Sequence, residues 1–278
     1  MAGAAVNGIH VEYETIGNPS DPPLLLIAGL SDQLIHWDDG LCGDLAARGH
    51  YVIRFDNRDA GLSTRVDAAY TLDDMADDAV GLLDALDLPT AHLCGASMGG
   101  MIAQIVAIRH PARVLSLTIV YSTSGSRRLP PPRPDVLELL FTPSPREKGP
   151  CVEFLVGLHR AFSGKGFAFD EAWTRTIVAR AYDRSFSPEG TSRQLRAVMD
   201  QTDRRSALAS VRVPTLVIHG TDDPLVPLEA AVQLSEAIPG ARLLLIEGMG
   251  HDLPHGGAWP KIVEAVSEHT ADAGRKRA

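Results

Sequence analysis

Cysteine, aromatic side chains, basic runs and long apolar stretches are all scarce in this chain, and each scarcity excludes something. Three cysteines in 278 residues, Cys42, Cys94 and Cys151, are too few and too scattered for a disulfide framework. They form no C-x-x-C pair, so no metal site and no thiol redox centre is expected, and the thiols suit a reducing compartment. The opening Met1-Ala2-Gly3-Ala4-Ala5-Val6-Asn7 has neither the basic start nor the apolar stretch of a secretory signal. No apolar run approaches the about 20 residues that span a bilayer. A cytoplasmic location is therefore expected. Acidic residues outnumber basic ones, 35 to 26, and the only basic run is Arg275-Lys276-Arg277. A net charge of -9 so distributed disfavours nucleic acid and anionic membranes as partners. Oligomeric state has no signature in the sequence, and no cofactor is expected.

What is present is an ordinary globular composition, 45% hydrophobic and 22% charged, enough for a large core. Asn7-Gly8 between short runs is a type I′ hairpin signal. Leu24-Leu25-Leu26-Ile27-Ala28 is wholly apolar, as a strand buried on both faces must be. Comparable strands are expected over 51–55, 91–94, 114–120, 215–219 and 241–246, with helices between them. Thr71 is placed to cap the helix that carries Met75, Ala79, Leu82, Leu83 and Leu86 on one face. Alternating strands and helices joined by short loops give an α/β domain with a mostly parallel, twisted sheet covered on both sides.

The alternation breaks after Tyr121. A stiff Pro130-Pro131-Pro132 passage leads into helical periodicity from Val136 to about Leu208. Residues 124–210 are thus expected to form a helical cap inserted between two strands of one core, which comprises 1–123 and 211–270. A frayed tail is expected over 271–278. Aromatic residues are only 5% of the chain, yet Phe141, Phe154, Phe162, Phe167, Phe169 and Trp173 concentrate in the cap. Most should pack helix on helix. Phe141, Phe154, Leu158 and Phe162 are candidates for the walls of an apolar pocket. The Pro130-Pro131-Pro132 stretch and Gly164-Lys165-Gly166 are expected to shape its entrance.

The chemistry centres on Gly95-Ala96-Ser97-Met98-Gly99, which lies between an apolar strand and a long helical pattern. That context is the one a nucleophile elbow requires: a strained turn lifts the serine hydroxyl above the sheet, and flanking glycines remove the Cβ atoms that would collide. Serine is a poor nucleophile near neutral pH and needs a base held by a third group. A carboxylate and a histidine should follow, in that order, on loops after later strands. Thr215–His219 ends in Gly220-Thr221-Asp222-Asp223-Pro224, and the next strand ends in Gly248-Met249-Gly250-His251. Asp223 is preferred to Asp222 as the acid because Pro224 restricts its backbone and so its side-chain direction. His251 is preferred to His255, which lies further from the strand end, and His219 falls inside a strand as a structural residue. Two backbone N–H groups must hold the oxyanion. Met98, after the nucleophile, supplies one, and Leu30, after the turn at Gly29, is the candidate for the other.

These residues resemble the α/β-hydrolases over essentially the whole chain. The strand-Ala28-Gly29-Leu30 segment matches the oxyanion loop. The segment Asp56-Asn57-Arg58-Asp59-Ala60-Gly61-Leu62-Ser63 resembles the family's Asp-x-Arg-x-x-Gly-x-Ser turn, which braces loops near the site. The elbow, acid loop and histidine loop also match, and the helical segment falls where the family inserts its cap. Within the family the chain looks most like small esterases of the aclacinomycin methylesterase type. The resemblance implies a serine carboxylesterase acting on a small-molecule ester. Lactone hydrolysis, carbon–carbon bond hydrolysis and cofactor-free perhydrolysis are alternatives on the same triad, and a non-catalytic ligand-binding role is a further one. In one respect the chain departs from the pattern. The family often has histidine before the oxyanion-loop glycine, and here that residue is Ala28, so a side-chain hydrogen bond that usually steadies the loop is absent.

Overall fold

The computed structural model describes residues 2–255 and 257–275. Eight strands form one sheet in the order β1-β2-β4-β3-β5-β6-β7-β8. They are β1 (Ala2–Val6), β2 (Ile9–Ile16), β3 (Pro23–Ile27), β4 (Tyr51–Phe55), β5 (Ala91–Ala96), β6 (Val114–Val120), β7 (Thr215–Gly220) and β8 (Arg242–Ile246). The β1–β2 and β2–β4 pairs are antiparallel and all later pairs are parallel. Asn7 and Gly8 both have positive φ, 49° and 81°, as the expected hairpin turn demands.

Strand alternation divides the core between the two faces. Leu25, Ile27, Ile53, Phe55, Leu93, Leu117, Ile119 and Val217 meet α2 (Leu72–Ala85) and α3 (Met98–Arg109) on one side. Leu24, Leu26, Val52, Cys94, Val120, Leu216 and Ile218 meet α1 (Asp39–Ala47) and α10 (Trp259–Arg275) on the other. Each fully buried leucine of this kind contributes roughly 1.5–3 kcal/mol. Burial on both faces explains why the central strands read as unbroken apolar runs. Thr71 caps α2 through a reciprocal capping box with Asp74. All three cysteines are unpaired and buried. Among the described residues no helix is long and apolar enough to cross a membrane.

Between β6 and β7 lie α4 (Pro134–Phe141), α5 (Lys148–Phe162), α6 (Glu171–Arg184), α7 (Pro188–Met199) and the short α8 (Arg205–Leu208). The regular structure of the segment is all helical among the described residues, and a third apolar cluster ties it down. In that cluster Leu34 and Ile35, from the loop after β3, pack on Val152, Val156, Ile177, Val178 and Ala181. Phe169 and Trp173 join this cluster and Phe167 joins the core below, so these cap aromatics do pack. The expected tail needs correction. Helix α10 continues through Ala271 to Arg275, because its apolar stripe persists and Ala273 remains buried. Residues 276–278 lie outside the described residues.

Candidate active site

All the parallel strands end on one rim, and the residues singled out above converge there. In open α/β sheets this carboxyl edge is where ligands bind. Ser97 follows β5 with φ 54° and ψ -117°, a left-handed geometry that costs a non-glycine residue of order 1–3 kcal/mol. Neighbouring contacts hold it there. Its N–H donates to the Val120 carbonyl (3.0 Å), and its carbonyl accepts from Gly100 and Met101 N–H and from the Ser122 hydroxyl (2.7 Å). The flanking glycines are obligatory on steric grounds. A Cβ on Gly95 would lie 2.2 Å from the Gly99 carbonyl oxygen, and one on Gly99 would lie 2.0 Å from that of Ile27.

The Ser97 hydroxyl lies 2.9 Å from His251 Nε2, and His251 Nδ1 lies 2.8 Å from Asp223 Oδ2. A carboxylate only accepts, so it fixes the proton on Nδ1 and leaves Nε2 free to accept from serine. Asp223 is held in turn. Its other oxygen accepts from Leu225 N–H (2.9 Å) and Val226 N–H (2.8 Å), and its side chain is 1% exposed. His219 stands 3.6 Å from the same carboxylate. Burial lowers the pKa of His219, and its Nε2–H donates to the Val226 carbonyl (3.0 Å), so a neutral ring braces the acid loop from inside β7. Asp222 points elsewhere and accepts from Lys165 N–H. His255 sits on the rim, stacked on Trp173 and paired with Asp170.

The two expected oxyanion donors, Leu30 and Met98, each follow a residue of this constellation, Gly29 and Ser97. Met98 opens α3 directly after Ser97, so its N–H is among those a helix start leaves without an intrahelical partner. Gly29 passes close to Ser97, where a Cβ would fall 3.5 Å from that of the serine. Despite Ala28 the oxyanion loop is well laced. Asn57 donates to the Ala28 carbonyl (3.2 Å), Asp32 N–H closes back on the Gly29 carbonyl (3.3 Å), and Asp56 accepts from Leu34 N–H (2.7 Å). The turn at Asp56–Ser63 thus braces the loop, as its resemblance implied.

Several residues around Ser97, His251 and Asp223 were not singled out in the sequence. The Tyr121 ring lies 4.7 Å from the His251 ring and, at φ 35°, sits on a strained turn after β6. The strand-end rule could have singled it out. Asp252, beside His251, accepts from the Ser163 hydroxyl, and burial pushes its carboxyl up to about 6. Burial also drives His159 down to about 4, which keeps it neutral where it stacks on His36. Of the proposed pocket walls, Phe162 meets the triad, edge-on to His251 at 5.6 Å. Phe154 and Leu158 are half-buried on α5, and Phe141 is 48% exposed on α4.

The cap is fastened to this rim by polar bonds. Arg184 pairs with Asp56 (2.7 Å), which is fully buried, and Arg193 pairs with Asp59 (2.7 Å). Gly164-Lys165-Gly166 is no free flap. Gly166 N–H donates to the Gly248 carbonyl (2.9 Å), His251 N–H donates to that of Phe162 (2.8 Å), and a Cβ on Gly164 would lie 2.1 Å from the Gly248 oxygen. The proline passage is likewise anchored, through Arg133 N–H to the Pro224 carbonyl (2.9 Å).

Two expected results follow from these burials. Arg184→Met removes the cation paired with the buried Asp56 carboxylate, which keeps the Leu34 and Leu62 N–H donors, and should destabilise the fold by about 3 kcal/mol in denaturant titration. Asp252 binds its proton more tightly folded than unfolded, so between pH 3.8 and about 6 its contribution to stability falls as pH rises. Asp252→Asn should remove that fall. Relative to the parent it gains about 1–3 kcal/mol on going from pH 4 to pH 7, read from denaturant midpoints at the two pH values.

Comparison with known proteins agrees with this architecture. A family profile described as the alpha/beta hydrolase fold matches residues 22–258. The rhodomycin D methylesterase DauP of Streptomyces sp. (strain C5) is 35% identical, over 94% of each chain. The rhodomycin D methylesterase DnrP of Streptomyces peucetius is 33% identical, also over 94% of each. Among solved structures, an esterase from Exiguobacterium antarcticum superposes with a TM-score of 0.80 at 24% identity, covering 97% of this chain and 98% of that one. An eight-stranded sheet with this strand order, a serine elbow after β5 and matches spanning nearly the full length lead to one assignment: the chain belongs to the α/β-hydrolase fold family.

Proposed function

We propose that this chain is a serine carboxylic-ester hydrolase in which Ser97, His251 and Asp223 form the catalytic triad. The observation that carries the reading is the unbroken relay of hydrogen bonds from the Ser97 hydroxyl through the imidazole to a buried carboxylate. In the proposed sequence Ser97 Oγ attacks the ester carbonyl carbon while His251 Nε2 takes its proton. The carbonyl oxygen becomes an oxyanion held by the Leu30 and Met98 N–H groups. Collapse expels the alcohol, which receives its proton from His251, and leaves an acyl-serine. Water, deprotonated by the same histidine, then attacks the acyl carbon. The carboxylic acid departs and the Ser97 hydroxyl is restored. Asp223 stabilises the imidazolium formed in each half without itself taking the proton.

The names of the two curated relatives support methyl esters as the substrate class, and the aromatic cap above His251 suits a bulky acid portion. Three buried, unpaired thiols support action in the cytoplasm. The direct test is a panel of methyl and p-nitrophenyl esters graded by acyl size, with a methyl ester of a bulky aromatic acid included. Release of alcohol and acid in equal amounts, strongest for methyl esters of bulky acids, supports the reading. A parent enzyme inert towards every ester in the panel refutes it.

A further inference from the structure

The geometry points to Gln194, on cap helix α7, as the positioning residue for the oxyanion loop; this inference rests on the ester-hydrolase reading above. Gln194 is fully buried, although glutamine is seldom inside a protein unless its amide is satisfied at both ends. Its carbonyl oxygen accepts from the Ser31 N–H at 2.7 Å, and its amide nitrogen donates to the Arg58 carbonyl at 2.8 Å. Both bonds join segments remote in sequence, so a single side chain links the cap, the oxyanion loop and the Asp56–Ser63 turn.

Ser31 is where such a link matters. It follows the oxyanion donor Leu30 and has φ 61°, in the left-handed region that a serine avoids. In that conformation the chain after β3 turns back, with Asp32 N–H reaching the Gly29 carbonyl. The peptides on the two sides of the Leu30 Cα are therefore both constrained. The one before it carries the Gly29 carbonyl that the Asp32 N–H holds, and the one after it carries the Ser31 N–H that Gln194 holds. If the Gln194 bond is lost, Ser31 can relax towards negative φ. The Leu30 N–H then swings away from the position of the developing oxyanion. A donor aimed at a charge that exists only in the tetrahedral adduct affects the transition state and leaves ground-state binding nearly unchanged. With alanine at position 28, this bond from the cap joins those of Asn57 and Asp56 in steadying the loop, and it is the one that acts on the peptide next to Leu30. The cap thereby enters the chemistry as well as covering the site.

The neighbourhood favours this role over simple packing. Gly190, one turn earlier on α7, comes so near the turn that a Cβ would lie 2.5 Å from the Asp59 carbonyl oxygen, and Arg193 grips the Asp59 carboxylate through two bonds of 2.7 and 2.8 Å. Helix α7 is thus fastened to the Asp56–Ser63 turn without Gln194. The fold can keep the helix docked when the amide is replaced, while the loop bond cannot survive that change.

The test compares the parent, Gln194→Met and Gln194→Glu on an ester the parent hydrolyses, alongside inhibition by an aryl trifluoromethyl ketone, which forms a tetrahedral adduct with the serine, and by the free acid product. Losing an oxyanion donor outright costs about 10²–10³ in kcat, so a displaced one should cost about 10–100-fold. Gln194→Met should show that fall in kcat with KM within about threefold, weaker trifluoromethyl ketone binding by a similar factor, and product inhibition unchanged. Gln194→Glu keeps the acceptor for Ser31 and, with its carboxyl protonated in this buried site, a donor for the Arg58 carbonyl, so in assays at pH 5–6 it should retain kcat within about fivefold of the parent at the same pH. It carries the test should the methionine variant not fold. A folded Gln194→Met enzyme with parental kcat overturns the inference, as does a folded Gln194→Glu enzyme that loses more than tenfold at that pH. So does a loss in which ketone and product binding weaken together. A parent without esterase activity instead refutes the functional reading on which the inference stands.

Discussion

Ser97→Ala should lower kcat for p-nitrophenyl butyrate by about 10⁴–10⁶-fold while the thermal midpoint stays near that of the parent, because removal of a triad nucleophile eliminates the acyl-enzyme route. Alanine keeps the Cβ and the backbone contacts that hold the elbow, so the Ser97 carbonyl continues to accept from Ser122 and from Gly100 and Met101. What disappears is the oxygen 2.9 Å from His251 Nε2. Any residual rate would come from the oxyanion donors and the pocket acting on water. The measurement is steady-state hydrolysis together with labelling by a fluorophosphonate, which requires an activated serine. If the variant turns over at the parental rate, or labels as fast as the parent, the nucleophile lies elsewhere and the mechanism falls with it.

The second large effect is expected at the acid. Asp223→Asn should cost about 10³–10⁴-fold in kcat, close to what loss of the orienting carboxylate costs serine triads in general. The local geometry dictates the reason. Leu225 and Val226 N–H both point at Oδ1, so an asparagine must place its carbonyl oxygen there and turn its NH₂ towards His251. That NH₂ donates to Nδ1, the ring proton moves to Nε2, and Nε2 no longer accepts from Ser97. The imidazolium formed on attack also loses its counter-charge. Asp222→Asn provides the contrast, since the Asp222 carboxylate accepts from the Lys165 N–H and the Thr221 hydroxyl rather than from His251. Its kcat should stay within about twofold, as surface substitutions away from such features usually have small effects. Equal losses for the two variants would mean that the acid has been misassigned.

The local motifs were legible because each is a short-range steric or electrostatic requirement. Gly95 is required by the turn itself, since the Gly99 carbonyl occupies the space of its Cβ, whereas Gly99 is required by the approach of β3, whose Ile27 carbonyl lies where its Cβ would be. Asn7-Gly8 and the Thr71 cap are readable for the same reason: φ and the first turn of a helix are set by neighbours a few residues away. The choice between the two adjacent acids also follows from a local rule. Pro224 stiffens the backbone at Asp223 and so separates it from Asp222.

The cap was readable only as helical. Its apolar periodicity marks faces to be buried but leaves open which partner each face meets. Phe162 against His251 and the exposed Phe141 therefore have the same sequence signature. The end of α10 is poorly legible because small residues such as Ala273 give a weak apolar signal that burial nonetheless uses.

The sequence by itself determined the α/β alternation, the order serine, acid, histidine, and the glycine-rich turns that present them, since those depend on spacing along one stretch of chain. Only the tertiary structure decided how the oxyanion loop is held without a histidine at position 28. The residues that hold it, Asn57, Asp56 and Gln194, meet it across separations of up to 163 positions. The contacts of Asn57 and Asp56 arise from the pairing of β3 with β4, and that of Gln194 from the docking of the cap on the sheet, where a buried amide must find its partners wherever the packing places them.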